Sequence, residues 1–537
     1  VLPDQLSLEA SIRDEEAEGI LLVESREWLS RRPYHRQRVG LILLNSRSFV
    51  EEARRLGRAV ELLRGDAPMV DLLGSWIAAR ADSSAPRLRG WRPAEREMRQ
   101  ELTPLVERGD LAWEENPFFL TDAGTFRDSV GKEGFRMDSF YRRVRQKSGI
   151  LMDDGDRPIG GRYSFDAENR RPWRGEPPAP TPPRFPMTAL REQVREEVET
   201  RFRDHPGTLD VEALPATTED ADSLWSWAKS ECLEHFGPYE DAMSRRSRGL
   251  FHSRISPALN LNRISARRII DEVVAMEDLP LESREGFIRQ VIGWREFVRH
   301  VHEETDGHRR LRDRSQPVRD RPGDGGFARW TGRAWSAPTP PPGVDGGSDA
   351  NALEARNPVP QAFWGKESGL ACLDAVVADV WAEGWSHHIT RLMILGNIAS
   401  LLDVSPRDLA DWFWIAYDDA WEWVVEPNVM GMATWGLGGV MTTKPYIAGA
   451  AYVHRMSDYC GGCRFDPRST CPLTRLYWAF LDRHEPRLRD NHRLGVVLQA
   501  MRKRPDAEKV RDRATFARVT ELLLEGRPLP ADVAGKP

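Results

Sequence analysis

Four of the five cysteines, a histidine pair and a run rich in tryptophan and acid fall in one stretch, residues 364–478. Cys460-Gly-Gly-Cys463 is either a redox dithiol or half of a metal site. Cys471 follows after a short gap with Pro472 behind it, which favours the metal. Cys372, far upstream, is the candidate fourth ligand and would tie two parts of the fold together. Four thiolates suit tetrahedral zinc or a cubane iron–sulfur cluster, and spacing does not separate them. A chance CxxC among reduced thiols is the bland alternative. Cys232 stands apart and reads as a buried bystander. His387-His388, Trp364 and Trp412 share the stretch, although in helical surroundings such tryptophans and histidines are more often packing.

A second concentration lies at Arg245, Arg246, Arg248, Arg254, Arg263, Arg267 and Arg268. The formal charge of the 537-residue chain is -6, yet a local basic face suffices to bind a phosphate-rich partner. A solvated helix face is the alternative. The charged content of 30% and hydrophobic content of 40% describe an ordinary soluble protein with sizeable cores. No apolar run is long enough for a bilayer, the start does not read as a signal peptide, and the few clustered cysteines argue against a disulfide scaffold. A cytoplasmic monomer without membrane contact is expected.

The elements that must position these residues divide the chain in three. Residues 1–149 read as an α/β parallel-sheet domain, with Gly19-Ile-Leu-Leu-Val23 as a buried strand. A helical pattern covers about 36–63, Met69–Leu73 is a strand or short helix, and Asn116–Leu120 a strand or its end. No Gly-rich dinucleotide fingerprint follows a strand. Residues 150–186, rich in proline, read as a surface linker. From 187 to 537 helical periodicity dominates, most strongly over Glu285–Val301. Pro/Gly-rich residues 302–360 break it and read as a mobile insertion or lid. Ser405 followed by Pro406 predicts a helix start, and the tail beyond Gly526 reads as frayed.

The chain resembles the prokaryotic iron–sulfur photolyases and cryptochromes, the bacterial (6-4) photolyase branch. The resemblance rests on Leu250-Phe-His-Ser-Arg-Ile-Ser-Pro-Ala-Leu-Asn260, on Gly286 to Phe297, on His387-His-Ile-Thr-Arg-Leu-Met393, on Lys444-Pro-Tyr446, and on Tyr459-Cys-Gly-Gly-Cys463 with Cys471-Pro472. It covers nearly the whole chain apart from the insertion. It implies an N-terminal α/β domain and a large all-helical domain holding FAD. It further implies a [4Fe-4S] cluster on Cys372, Cys460, Cys463 and Cys471, and a 6,7-dimethyl-8-ribityllumazine antenna in the N-terminal domain near Glu24 and His35-Arg-Gln-Arg38. The partner would be UV-damaged DNA, single- or double-stranded. The activity would be blue-light-driven repair of (6-4) photoproducts by electron transfer from reduced FAD.

Carried onto this sequence, the FAD pyrophosphate falls to Ser253, Arg254, Ser256, Asn260 and Arg263, which offer hydroxyl, amide and guanidinium donors. Gln290, Trp294, Arg295 and Glu296 form a second wall. Arg391 with Asp418 or Asp419 resembles the family's pair beside the flavin ring, and Asn397 and Asn428 either bond the ring or cap helices. Trp364 and Trp412 match the electron-transfer tryptophans. His387 and His388 match the lesion-side histidines, whose imidazoles can move a proton near neutrality. Tyr446 and Tyr452 lie where the family has cavity tyrosines. Val425 stands where the pattern has a glutamate near flavin N5, Phe413 where it has a tyrosine, and the gap before Cys471 is shortened. A cryptochrome-like photoreceptor without repair is the alternative within the same resemblance, and a non-catalytic nucleic-acid binder with zinc on the cysteines is the alternative outside it.

Overall fold

The computed structural model describes residues 1–13, 17–80, 88–131, 134–311, 314–315, 317–319 and 343–535. The core of the expected insertion, 320–342, lies outside the described residues, and with it the expectation of a lid. The N-terminal part carries two separate two-stranded parallel pairs. Strand Ile20–Ser25 pairs with Val60–Gly65, and Leu88–Trp91 with Leu111–Glu114. Everything after is helical apart from one short hairpin, Arg310–Leu311 with Arg314–Ser315.

Helix Arg36–Arg55 is the keel of the N-terminal part. It is buried from Gln37 to Val50, its polar residues included. A helix covered all round must satisfy those groups internally. Asn45 accordingly donates to the carbonyls of Leu41 and Pro215, each at 2.9 Å. The helical pattern anticipated to residue 63 stops at Gly57, whose φ of 80° a side chain would resist, and Val60–Gly65 continues as strand. Met69–Ala78 is a helix, and Asn116–Leu120 is irregular rather than a strand.

Residues 150–186 run largely over the surface, anchored by a few buried side chains. Leu151, Phe165, Trp173 and Phe185 are buried. Arg145 donates to the carbonyls of Ile150, Leu151 and Tyr163, which pins the segment's first half. The tail is not frayed. Leu529 is buried, its N–H donates to Ser368 at 2.8 Å, and its carbonyl accepts from Arg464. Ser405 caps Pro406–Ala416 as its type and position require.

Four of the long helices contain π-turns: 228–232, 289–295, 391–396 and 427–433. A π-turn shifts the register of the side chains beyond it, and such turns gather at functional sites. The last three supply walls of one cavity.

Candidate cofactor and substrate cavity

The helical part encloses a cavity of about 810 Å³. That lies in the range of about 300–1,000 Å³ typical of ligand sites. Its walls come from segments far apart in sequence: the Ser253–Asn260 turn, helical residues 281–304, residues 385–393, residues 413–433 and the loop around Tyr446.

Arg391 answers the question of its partner. Its two terminal nitrogens donate to both oxygens of Asp419 at 2.9 Å, its Nε donates to the Ser386 carbonyl at 2.7 Å, and its guanidinium lies 4.1 Å from the Tyr417 ring centre. This fork-on-fork geometry fixes both planes. Burial opposes the Arg391 charge, but Asp419 outweighs it and holds its pKa above the ordinary value. Asp419 also accepts from Ser256 Oγ at 2.7 Å, and its carbonyl accepts from Asn260 at 3.0 Å. The turn and the acid pair are thus one unit. Asp418 does not line the cavity. It lies behind, with burial and the neighbouring Asp419 charge raising its pKa.

Ser253, Arg254, Gln290, Trp294, Asn428, Tyr446 and Tyr452 all face the cavity. Arg254 takes a φ of 55°, pairs with Glu383 at 2.8 Å and stacks 4.4 Å from Trp385. Asn428 donates to the Val424 carbonyl, so it braces its own helix while lining the wall. Three expected contributors face elsewhere. Asn397 exchanges two hydrogen bonds with the backbone of Ala448 and supports the wall from behind. Arg263 ties to Leu6, Glu52 and Ala216, joining the two parts of the chain. Glu296 accepts from the backbone of Leu120 and Thr121. In each case the residue type was right for a ligand, but the backbone, helical at Asn397 and Glu296 and a bend at Arg263, turns the side chain away from the cavity.

At the other end of the cavity stand His387 and His388, joined by His252, which sequence reasoning quoted in a motif without giving it a role. His387 is buried, while His388 is 42% exposed at the side chain. Burial first, then the neighbouring imidazoles, lower the pKa of both, and burial lowers that of His252 to about 4. The trio is neutral at physiological pH. Asp241, raised to about 6 by burial, faces His388 at 3.9 Å.

Trp364 and Trp412 do not touch the cavity. Both are buried, and the half-buried Trp381 lies between them. It stacks on Trp364 at 5.4 Å and meets Trp412 edge-on at 6.0 Å. Trp412 in turn contacts Phe413 at 5.1 Å and Tyr417 at 6.2 Å, and both of these line the cavity. Trp381 was missed. It shares helix Ala371–Glu383 with Cys372, but its ring partners come from segments remote in the chain.

The four cysteines converge. Burial, then proximity to Cys471, Cys460 and Cys463, pushes the Cys372 thiol well up, and Cys471 rises to about 12. Thiols so placed ionise together only around a cation, which is the donor chemistry of a metal centre. Among the described residues, the donor groups gathered within 4.8 Å are His252–His387–His388 and His302–Glu422–Glu426; the sulfurs are spread more widely.

Val425 faces the cavity, whereas Glu426 faces away and is held by His302 at 3.0 Å and by Arg407. A one-residue offset on a helix changes the face, so Glu426 does not substitute for a carboxylate at the cavity wall.

The fold is thus an α/β part followed by helices around a deep cavity. Residues 1–213 match the family model described as deoxyribodipyrimidine photo-lyase-related protein. The chain is 32% identical over 513 residues to the (6-4) photolyase of Agrobacterium fabrum, covering 92% of this chain and 93% of that protein. It belongs to the photolyase/cryptochrome superfamily. Its structure is similar to a bacterial class III photolyase from Agrobacterium tumefaciens, with a TM-score of 0.53, 15% identity, and 96% and 95% of the two chains covered. It is also similar to the Synechocystis sp. PCC6803 cryptochrome, with a TM-score of 0.54, 15% identity, and 85% and 86% covered. At these identities the two likenesses concern the fold. Membership implies FAD as cofactor, and the cavity fits it in size, in its hydroxyl and guanidinium donors, and in its aromatic walls. No helix among the described residues is long and apolar enough to cross a membrane.

Proposed function

We propose that the protein repairs (6-4) pyrimidine photoproducts in DNA under blue light, with FAD in the 810 Å³ cavity. The observation that carries this reading is convergence. The Ser253–Asn260 turn, the Arg391–Asp419 fork, the His387-His388 pair and Tyr446 line one cavity although the chain separates them widely. When bound and reduced, FAD supplies a photoexcited electron to the lesion.

The protein's own residues supply the rest. Ser253, Arg254, Ser256 and Asn260 hold the pyrophosphate side. Gln290 and Trp294 close the opposite wall. The Arg391–Asp419 fork sets a fixed charge pattern beside the ring; broken, either charge would be costly there. Asn428 positions the segment that carries Val425. Asn397 and Asp418 act from behind the wall, the first through Ala448 and the second through the local charge balance. His387 and His388, neutral at rest, hold a lone pair ready to take a proton and pass it at an imidazole nitrogen, with Tyr446 and Tyr452 shaping the lesion's space. Trp412, Trp381 and Trp364 provide an indole path through Phe413 and Tyr417. Lys444, Arg455 and Arg493 on the cavity rim would meet DNA phosphates, so binding weakens with salt. A damaged base pairs poorly and costs less to flip into such a cavity.

Cys372, Cys460, Cys463 and Cys471 are assigned to a [4Fe-4S] cluster. The support is the proximity of Cys471, Cys460 and Cys463, which with burial raises the Cys372 thiol. The shortened loop before Cys471 still delivers it to the quartet. The functional units are 1–149, the connector 150–186, and 187–537. A ribityllumazine antenna is assigned to the first of these. Its support is Arg38, 1% exposed, whose guanidinium finds no hydrogen-bond partner in the protein and lies between the Tyr34 and Trp421 rings.

The test is a (6-4)-lesion oligonucleotide illuminated with the reduced protein, alongside metal analysis. Restored bases are expected. Flavin that photoreduces while the lesion stays intact would assign the photoreceptor role instead, a reading that the loss of a carboxylate at Val425 favours.

A further inference from the structure

Three imidazoles stand together at the lesion end of the cavity. One donor nitrogen from each of His252, His387 and His388 lies within 4.8 Å of the other two. The His252 and His387 rings stack at 4.3 Å with 20° between planes, and His388 lies 5.4 Å from His252.

The tautomer of His252 follows from its neighbours. Its Nδ1 is 2.9 Å from the Gly249 carbonyl. A carbonyl only accepts, so Nδ1 carries the proton and Nε2 presents a bare lone pair. That Nε2 is buried and has no hydrogen-bond partner, and neither has Nδ1 of His387. Both residues are more than nine-tenths buried, at 7% and 3% exposure. Unpaired polar atoms so buried are uncommon and call for a partner. The third ring, His388, points Nε2 towards Asp241 Oδ1 at 3.9 Å.

We propose that His252, His387 and His388 form a binding site for one borderline divalent transition-metal ion of the zinc class. Imidazole selects such ions, whereas magnesium and calcium prefer oxygen donors. A carbonyl behind His252 and a carboxylate beside His388 supply the outer contacts that orient metal-binding histidines. Three protein ligands with a cavity on the remaining side leave an open position, as in catalytic rather than structural zinc sites. The ion reaches the site through the cavity mouth. It uses the same lone pairs that would carry a proton, so a metal-loaded trio cannot act as proton carrier. That consequence rests on the proposed function; the site itself does not.

The test is made in the dark and without DNA, so loss of repair activity cannot be mistaken for loss of the site. Chelator-washed holoprotein is dialysed against zinc chloride and its metal content measured for wild type, His252→Ala, His388→Ala and Cys471→Ser. The expected result is one zinc more in wild type than in either histidine variant, with that zinc kept in Cys471→Ser. Cobalt chloride gives a second measurement that needs no variant: weak visible bands without strong sulfur charge transfer. Equal zinc content in wild type and both histidine variants, or cobalt bands of thiolate type only, overturns the proposal.

Discussion

The two faces of segment 422–433 treat buried charge in opposite ways. The front, with Val425 and Asn428, looks into the cavity, where His252 Nε2 and His387 Nδ1 have no hydrogen-bond partners. The back carries Glu422 and Glu426 into a closed network. Arg407 pairs with Glu426 and with Asp411 at 2.8 Å, Arg319 reaches Asp411 at 2.7 Å, and the backbone N–H groups of Glu97 and Glu422 donate to Glu422 and Glu95. Arg407 and Arg319 neutralise Glu426 and Asp411, while burial and the neighbouring carboxylates raise the pKa of Glu95 and Glu422; the network joins the N-terminal part, the ends of the insertion and the cavity helix. A protein that must hold a large cavity open needs a rigid wall, and the network stiffens the side that no ligand supports. At the front, His252 Nε2 and His387 Nδ1 are among the buried polar atoms without a hydrogen-bond partner.

Breaking the back should cost the most. Arg407→Met leaves Glu426 buried with only His302 beside it and Asp411 with only Arg319, and about 3–5 kcal/mol of stability should be lost. Urea unfolding measures it; a change below about 1 kcal/mol would show that the network is ornamental to the fold. Asp419→Asn, at the front, should cost less, about 1–3 kcal/mol, because Arg391 keeps its hydrogen bond to the Ser386 carbonyl and its place on the Tyr417 ring. Its sharper effect should be on flavin: purified protein should retain a minor fraction of wild-type FAD.

Acid should reveal the front before the back. The three imidazoles have folded pKa values below their unfolded value, His252 at about 4. They bind protons more readily when unfolded, so their contribution is present above pH of about 6.5 and falls away as pH drops towards the folded values. Each fully buried ring should contribute a slope of about 1 kcal/mol per pH unit in that window, with less from the half-exposed His388. His252→Phe should flatten the profile between pH 6 and 4; an unchanged slope would mean the ring is solvated. Glu426, held low by Arg407 and His302 against burial, yields only in stronger acid.

The smallest effect on stability, about 1–2 kcal/mol, is expected for Trp381→Phe. Photoreduction of bound flavin by an external donor should nevertheless slow at least tenfold, because Trp381 joins Trp364 to Trp412. An unaltered rate would place the path elsewhere.

Much of this was legible in residue types at fixed spacings. The CxxC with its third cysteine, the Ser405-Pro406 helix start and the apolar strand after Gly19 are local patterns with local causes. The Arg391 partner was narrowed to two neighbours, and only the fold separates Asp419, forked onto the guanidinium, from Asp418 behind it. Asn397, Arg263 and Glu296 had suitable chemistry but are buried facing away from the cavity. The tail beyond Gly526 lacks periodicity because a single leucine, Leu529, docks it. Trp381 and His252 escaped notice because their roles come from neighbours remote in the chain.

The order of residues alone determined the helical and strand segments, the family and the set of reactive groups, since these depend on short-range sterics and on side-chain chemistry. Which groups meet was decided by tertiary structure. π-turns rotate side chains by a fraction of a turn, and burial sets which charges must pair, so a one-residue offset sends Val425 into the cavity and Glu426 into the core.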